Sequence, residues 1–174
     1  MMTISRLPIP AINESERTPP RLPLEAFRTV VELTPLVSID FVVRNRAGRL
    51  LVGFRKNQPA QASWFVPGGR LGKNETRLEA FARLTKFELG VELAMERARF
   101  LGVFEHIYPD NFAGDPGFGT HYVVLAYAIE ADPAELDLPG GDQHNGYLWM
   151  SEEELLSRDD VHAYTKAYCA SLHH

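Results

Sequence analysis

The stretch from Trp64 to Gly90 constrains the fold of this chain more than any other part of the sequence. A short apolar strand, WFVP, is followed by the glycine-containing loop GGRLGKN and then by ETRLEAFARLTKFELG, the clearest helical pattern in the chain. Gly90 stands where the left-handed residue that ends a helix is favoured. Adjacent glycines let a backbone approach a ligand, and helix N-termini favour anions, but a plain strand-to-helix turn has the same pattern.

Further strands and helices surround this strand–loop–helix segment. The patterns predict a helix over 24–33, a hairpin of strands over 36–45 and 49–55, long strands over 98–108 and 120–130, and a loop entering a strand over 141–150. The run SEEELLS predicts an N-capped helix, and residues 159–172 predict a final one. This order indicates a mixed sheet with a central helix and a helical C-terminal part, in the α+β class.

Composition narrows the classes of protein that this chain can belong to. The 174 residues carry a net charge of −5, which disfavours nucleic-acid binding, and the single cysteine excludes an intrachain disulfide framework. We see neither a membrane span nor a secretory signal, and we expect a cytoplasmic protein. The proline-containing residues 1–23 predict an extended arm, and residues 24–174 predict a single domain.

Two carboxylates stand among apolar side chains. Leu84, Phe87 and Glu88 share one helix stripe, which indicates a buried or half-buried acid that needs a metal, an arginine or a hydrogen-bond donor. Alternation places Asp40 on the strand face opposite Ile39, where it points either into a polar cleft or into water. For both acids, an ordinary surface position is the commoner outcome of such spacing.

Three histidines accompany the predicted strands. His106 and His121 fall at strand ends, and His144 lies in the loop GGDQHNG. A loop histidine held near a rigid sheet is a candidate general base, although any single histidine is more often a plain surface residue.

Together these residues resemble the Nudix family. Its signature is Gly, five residues, Glu, seven residues, and then Arg-Glu-aliphatic-X-Glu-Glu-X-Gly-aliphatic. The positions that match in register are Gly69, Glu75, Arg83, Glu88, Gly90 and Val91. The positions that depart from it are Leu84, Thr85 and Phe87. The resemblance implies the Nudix fold, a mixed β-sheet packed between helices in an α/β/α sandwich.

The departures have a chemical consequence for the metal site that the signature implies. Leu84 and Phe87 replace two of the three glutamates on the helix face by hydrocarbon. Glu88 can then hold one hard cation with other oxygen ligands, but not a cluster of several metals. Attack of a metal-bound hydroxide on phosphorus is thereby weakened.

This pattern is similar to that of the GDP-mannose mannosyl hydrolases, also called GDP-mannose glycosyl hydrolases, a subfamily of the Nudix family. The likeness runs from about residue 24 to about residue 170 and includes TPLVSIDFVVRN, NQPAQASWFVPGGR and THYVVL. It implies Mg²⁺-dependent hydrolysis of GDP-mannose, with GDP-glucose as a plausible second substrate. In the reaction that it implies, water would attack the anomeric carbon with inversion and release GDP and free hexose. The resemblance also implies a homodimer with a small-molecule nucleotide sugar as its ligand.

The resemblance assigns a metal site and a base. It implies one Mg²⁺ per subunit, which Mn²⁺ can replace, on Glu88, Gln143 and the backbone carbonyl of Gly68 or Gly69, of which we favour Gly68. His144 would be the general base on the attacking water.

The resemblance assigns further residues to the substrate. Asp40 and His106 would contact the sugar or stabilise the cation that forms at C1. The residues that would neutralise the departing diphosphate or position its phosphates are Arg55, Arg70, Arg83 and Tyr122.

Two other functions remain open at this point. A conventional Nudix pyrophosphatase would cut a nucleoside-diphosphate sugar between its phosphates, with carboxylates supplied from elsewhere, such as Asp142 or Glu105. A catalytically inactive Nudix module would bind a nucleotide sugar as a regulator. The products formed in labelled water distinguish the pyrophosphatase, and nucleotide-sugar binding without release of GDP distinguishes the inactive module.

Overall fold

The computed structural model describes residues 22–139 and 144–173, with the side chains of residues 144 and 145 outside the described set. All but the last two residues of the predicted arm therefore lie outside the described residues. The helices are α1 (Leu24–Leu33), α2 (Arg77–Leu89), α3 (Glu152–Ser157) and α4 (Ala163–Ser171). The strands are β1 (Leu36–Arg44), β2 (Leu50–Arg55), β3 (Trp64–Phe65), β4 (Gly68–Arg70), β5 (Ala98–Tyr108), β6 (Thr120–Glu130) and β7 (His144–Met150).

The strands of the described residues form one mixed sheet. Its order is β3-β2-β1-β6-β5, with β4 paired to β1 and β7 paired to β2. β1 and β6 run parallel, from Leu36 opposite Tyr122 to Arg44 opposite Glu130, and the other strand pairs are antiparallel. The predicted hairpin of β1 and β2 is confirmed, with Arg44 opposite Leu50.

One edge of β1 changes partner along its length. It pairs with β2 at the hairpin end and with β4 at the other, where Gly68 lies opposite Asp40. The prediction that Gly68–Arg70 is loop was wrong, because these residues form a strand. Gly-Gly-Arg has no side-chain alternation to reveal a strand, and its pairing depends on the backbone of β1 alone.

Helices cover both faces of the sheet, which confirms the predicted α/β/α layering. On one face α2 packs Phe81, Leu84 and Leu89 against Ile39 and Phe41 of β1. On the other face α3 and α4 contribute to a second apolar cluster, which includes Val42, Phe65, Ala126, Leu155, Tyr168 and Cys169. The two clusters separate the odd-numbered from the even-numbered side chains of β1, as the alternation predicts.

Helix α2 begins two residues later than the sequence predicts. Thr76 caps it, accepting a hydrogen bond from the Glu79 N–H while the Glu79 carboxylate accepts from Thr76 N–H. The predicted end is confirmed, since Gly90 adopts the left-handed conformation with φ of 75°. Phe87 does not share the buried face with Leu84 and is 58% exposed.

Both helices that the sequence predicts near the C-terminus are present. Ser151 caps α3 by accepting from the Glu154 N–H, as SEEELLS indicates. The final helix begins at Ala163 rather than at residue 159, because the His162 ring caps it by accepting from the Tyr164 N–H. None of the described helices combines the length and the apolarity that crossing a lipid bilayer requires.

Candidate active site

Asp40 lies at the centre of a buried polar group that also contains Tyr168 and His106. Its side chain is 7% exposed, on the face of β1 that packs against α4, and its Oδ2 accepts a hydrogen bond of 2.7 Å from the Tyr168 hydroxyl. The surface position that such spacing more often gives is therefore wrong for Asp40.

Gly68 and Gly69 allow β4 to approach its neighbours on both sides. A Cβ at Gly68 would lie 2.5 Å from the Ile39 carbonyl oxygen and 2.6 Å from Asp40 Oδ1. A Cβ at Gly69 would lie 2.5 Å from Leu84 Cδ2 of α2. The glycine pair thus lets the strand contact the Asp40 carboxyl on one side and the helix on the other.

Burial sets the charge state of Asp40. Loss of solvent raises the pKa of Asp40 to about 7, against the opposing effects of the Tyr168 hydrogen bond and the positive charge of Arg55. The negative charge of Glu88 raises the pKa of Asp40 further. Asp40 therefore gains and loses its proton close to neutral pH.

Glu88 is also buried, at 3% exposed, on the inner side of α2. The expectation of a buried or half-buried carboxylate is confirmed, and the commoner surface alternative is wrong. After the effect of burial, the charge of Glu88 contributes to raising the pKa of Tyr147 to about 12. Within residues 22–139 and 146–173, whose side chains are described, no three His, Cys, Asp or Glu side chains form a group that could hold a metal ion.

The backbone of β4 presents carbonyl groups on the side away from β1. The hydrogen bonds Phe41 N to Pro67 O and Leu71 N to Val37 O make the intervening Asp40–Gly68 pair a non-hydrogen-bonded one. The Gly68 carbonyl therefore points to the same side as that of Arg70, which accepts a hydrogen bond of 2.9 Å from Arg83 of α2.

Arg83 and Glu75 fasten the loop between β4 and α2. The nearly buried Glu75 carboxylate accepts from Arg83 Nε at 2.5 Å, from Arg83 Nη2 at 2.8 Å and from the Gly72 N–H at 2.7 Å. Burial alone would raise the pKa of Glu75, but these hydrogen bonds and the Arg83 charge hold it below its usual value. The described contacts of Arg83 thus stabilise the end of β4 at Arg70 and the loop that follows it.

His106 is held by two tyrosines of α4. Its Nε2 lies 3.2 Å from the Tyr168 hydroxyl, and its ring stacks on Tyr164 with centroids 4.0 Å apart and planes 7° apart. Burial, together with the nearby His162, lowers the pKa of His106 to about 4. His106 is therefore neutral near pH 7 and acts as a hydrogen-bonding group rather than a cation.

Two arginines border this group. Arg55 lies over the Phe65 ring at 5.5 Å, and Arg70 lies over the Phe27 ring of α1 at 4.0 Å. Burial raises the pKa of Tyr122, and the positive charges of Arg70 and Arg55 oppose that rise. The structure thus brings Arg55, Arg70 and Tyr122 into one electrostatic group with Asp40.

The structure treats the candidate residues His121, Gln143 and His144 differently. His144 begins β7 opposite Arg55, but its side chain is not described, and Gln143 lies outside the described residues. His121 is paired with the exposed Ile107, on the strand face opposite His106, and so lies away from the group around Asp40.

Sequence reasoning missed the aromatic residues that complete the site. Tyr164 and Tyr168 stand four residues apart on the final helix, which places both hydroxyl-bearing rings on one stripe, and this spacing was the available signal. Tyr108 and His162 also face the group, with ring centroids 5.5 Å apart. Nothing in the sequence alone connects them to Asp40.

Comparison with known proteins identifies the fold and its relatives. The family model described as NUDIX domain matches residues 34–170. The low-salt glycan biosynthesis protein Agl8 of Haloferax volcanii is 34% identical over 160 residues, covering 92% of this chain and 96% of that protein.

Solved structures agree with this match. The MutT NUDIX hydrolase of Burkholderia pseudomallei is 27% identical with a TM-score of 0.64, covering 80% of this chain and 98% of that one. A MutT protein of Methanosarcina mazei is 20% identical with a TM-score of 0.60, covering 78% and 91%, and this similarity concerns the fold alone.

Proposed function

The chain belongs to the NUDIX domain family, and on that premise we propose that it hydrolyses GDP-mannose to GDP and free mannose. Water attacks the anomeric carbon, the bond from C1 to the diphosphate oxygen breaks, and the configuration at C1 inverts. The observation that carries this proposal is the buried Asp40–Tyr168–His106 group, a carboxyl site that lies outside the helix of the family signature. The relative named for glycan biosynthesis supports a sugar nucleotide as substrate.

The group around Asp40 suits the sugar end of such a substrate. Rupture of the C1–oxygen bond develops positive charge on the sugar ring, which a nearby carboxylate stabilises. Asp40 provides that carboxylate above its pKa of about 7. The neutral His106 provides a hydrogen-bonding group for a sugar hydroxyl.

The positive charges of Arg55 and Arg70, which form a cationic border beside the Asp40 group, suit the diphosphate leaving group. Arg55 and Arg70 neutralise the negative charge that the departing GDP gains, and Tyr122 donates a hydrogen bond to a phosphate oxygen. Arg83 acts on the phosphates through Arg70, because it holds the carbonyl of that residue and the adjoining loop. With the charge spread in this way, no separate acid is needed for the leaving oxygen.

The donor chemistry fits one divalent metal ion. A carboxylate that is 3% exposed and a backbone carbonyl directed away from β1 are hard oxygen donors, which Mg²⁺ prefers. Glu88 and Gly68, with Gln143, would hold the ion. When bound, Mg²⁺ supplies positive charge to the diphosphate and so improves GDP as a leaving group.

His144 is the proposed general base. The register of β7 places its backbone opposite Arg55, at the edge of the cationic border. A histidine takes the proton of the attacking water near neutral pH, as an inverting displacement requires.

A pyrophosphatase acting on the same substrate has less support. That reaction would need carboxylates in place of Leu84 and Phe87, and Glu105 is exposed on the strand face opposite His106. Asp142, the other candidate, lies outside the described residues.

Hydrolysis in H₂¹⁸O tests the proposal directly. The protein is incubated with GDP-mannose and Mg²⁺, the products are separated, and their masses are measured by mass spectrometry. We expect GDP without label and mannose carrying one ¹⁸O. Recovery of GMP and mannose 1-phosphate, with label on a phosphate, would show that the pyrophosphatase alternative is right. Binding of GDP-mannose without turnover would favour the regulatory module instead.

A further inference from the structure

The Tyr168 side chain joins two residues of the proposed sugar site. It is fully buried on α4, and its hydroxyl lies 2.7 Å from Asp40 Oδ2 and 3.2 Å from His106 Nε2. We propose that Tyr168 is a positioning residue that fixes Asp40 and His106 as one unit facing the anomeric carbon. This inference rests on the proposed function, in which Tyr168 itself has no contact with substrate.

The hydrogen-bonding capacity of the three groups sets the direction of the bonds. When Asp40 is ionised, its carboxylate only accepts, so the single phenolic proton of Tyr168 is donated to it. His106 must then donate its Nε2–H to the Tyr168 oxygen, which leaves Nδ1 as the acceptor of the ring. One hydroxyl therefore determines both the rotamer of Asp40 and the tautomer of His106.

A second tyrosine of the same helix limits the remaining motion of His106. Tyr164 stacks flat on the imidazole, and its hydroxyl donates to the Ile107 carbonyl at 2.7 Å and accepts from the Ile107 N–H at 2.8 Å. The stacking ring is thus tied to the backbone next to His106. With Tyr164 on the ring face and Tyr168 at the ring edge, His106 keeps little freedom to turn.

Helix α4 contributes these contacts from outside the segment that carries the family signature. Tyr168 is separated from Asp40 by 128 residues and from His106 by 62 residues. The helix is anchored in the apolar cluster on that face, where Tyr168 also packs edge-to-face on Phe104 at 4.8 Å. A reacting group held by such a support stays within the narrow range of geometry that catalysis requires.

A purely structural role for Tyr168 makes a different prediction. If the residue only filled the core, Tyr168→Phe would keep the Phe104 contact and the packed volume, and the kinetic constants would not change. As a positioning residue, Tyr168 affects the transition state more than the binding of substrate. The split between kcat and KM therefore separates the two roles.

The kinetic test compares Tyr168→Phe with a matched control. We expect Tyr168→Phe to lower kcat for GDP release about 10- to 100-fold while KM changes less than about threefold. Tyr127→Phe is the control, because Tyr127 is a buried tyrosine whose hydroxyl has no hydrogen-bond partner in the described part of the chain. It should retain wild-type kcat. An unchanged kcat in Tyr168→Phe, with active wild-type protein, would overturn the inference.

A spectroscopic test does not depend on the reaction. In protein labelled with ¹⁵N-histidine at pH 8.5, the Nε2–H of His106 should give a proton resonance shifted downfield by its hydrogen bond, assigned by its loss in His106→Gln. Tyr168→Phe should move or abolish that resonance, and Tyr127→Phe should leave it in place. A resonance unchanged by Tyr168→Phe refutes the bond. If wild-type protein releases no GDP, the proposed function fails, and this spectrum alone decides whether Tyr168 joins the two groups.

Discussion

Replacing Asp40 with asparagine should make stability less dependent on pH. Burial raises the pKa of Asp40 from 3.8 to about 7. The folded protein therefore holds the proton more tightly than the unfolded chain does, and ionisation opposes folding as the pH rises from about 4 to about 7. At about 1.4 kcal/mol per pKa unit, the penalty is about 1.7 kcal/mol at pH 5 and about 4 kcal/mol at pH 8.

The Asp40→Asn variant removes the ionisation and keeps an oxygen that accepts from Tyr168. Relative to wild type, we expect the variant to gain about 2.5 kcal/mol between pH 5 and pH 8, or about 5–10 °C in Tm. Thermal or urea unfolding at the two pH values measures this gain. Asp159→Asn, which alters an exposed carboxyl on the surface, is the control and should show no comparable change.

Two results would refute this reasoning. A constant difference between Asp40→Asn and wild type from pH 5 to pH 8 would mean that Asp40 has an ordinary pKa in the folded protein. A variant that becomes less stable relative to wild type as the pH rises would mean that the Asp40 charge stabilises the fold.

Three further substitutions test other parts of the site. His144→Gln should lower turnover about 10²- to 10⁴-fold in a GDP-release assay, and an unchanged rate would exclude the proposed base. Glu88→Gln should raise the Mg²⁺ concentration needed for half-maximal activity sharply, whereas a normal Mg²⁺ titration would remove Glu88 from the proposed ligands. Gly68→Ala should destabilise the protein by about 1–3 kcal/mol in chemical unfolding, because the new methyl group would meet the Ile39 carbonyl and the Asp40 carboxyl. Wild-type stability of that variant would show that the strand can move away.

The sequence predicts most elements of this fold because hydrophobic periodicity is local. The strands over β1, β5 and β6 and the helix α2 are each visible in their own residues. Strand β4 is not, since two glycines and an arginine have no pattern and the pairing comes from a partner about 30 residues away.

Phe87 is exposed because the stripe of residues 84, 87 and 88 is not centred on the buried side of α2. The buried residues of α2 run from Ala80 to Leu89 on one side, and Phe87 lies about 110° from the middle of that stripe. The positions 84 and 88 are inside it, and 87 is outside.

The burial of Asp40 could not be predicted from its own strand. Alternation identifies the face on which the side chain lies, but the depth depends on α4, which covers that face from the far end of the chain. Tyr168, the hydrogen-bond donor, is separated from Asp40 by 128 residues, and no local pattern relates the two. Some reacting residues of the site can therefore be predicted from the sequence. The contacts that hold them in place depend on the tertiary structure.

Leu84 and Phe87, the two hydrocarbon residues on α2, differ in how readily an acid could replace them. At residue 87 the side chain faces water, so a glutamate there would be accommodated without disturbing its neighbours. At residue 84 the side chain is 3% exposed and touches the space above Gly69, so a glutamate would bring an uncompensated charge into packed surroundings. A three-acid helix face is thus accessible by substitution at residue 87, whereas residue 84 accepts a glutamate only if β4 changes with it.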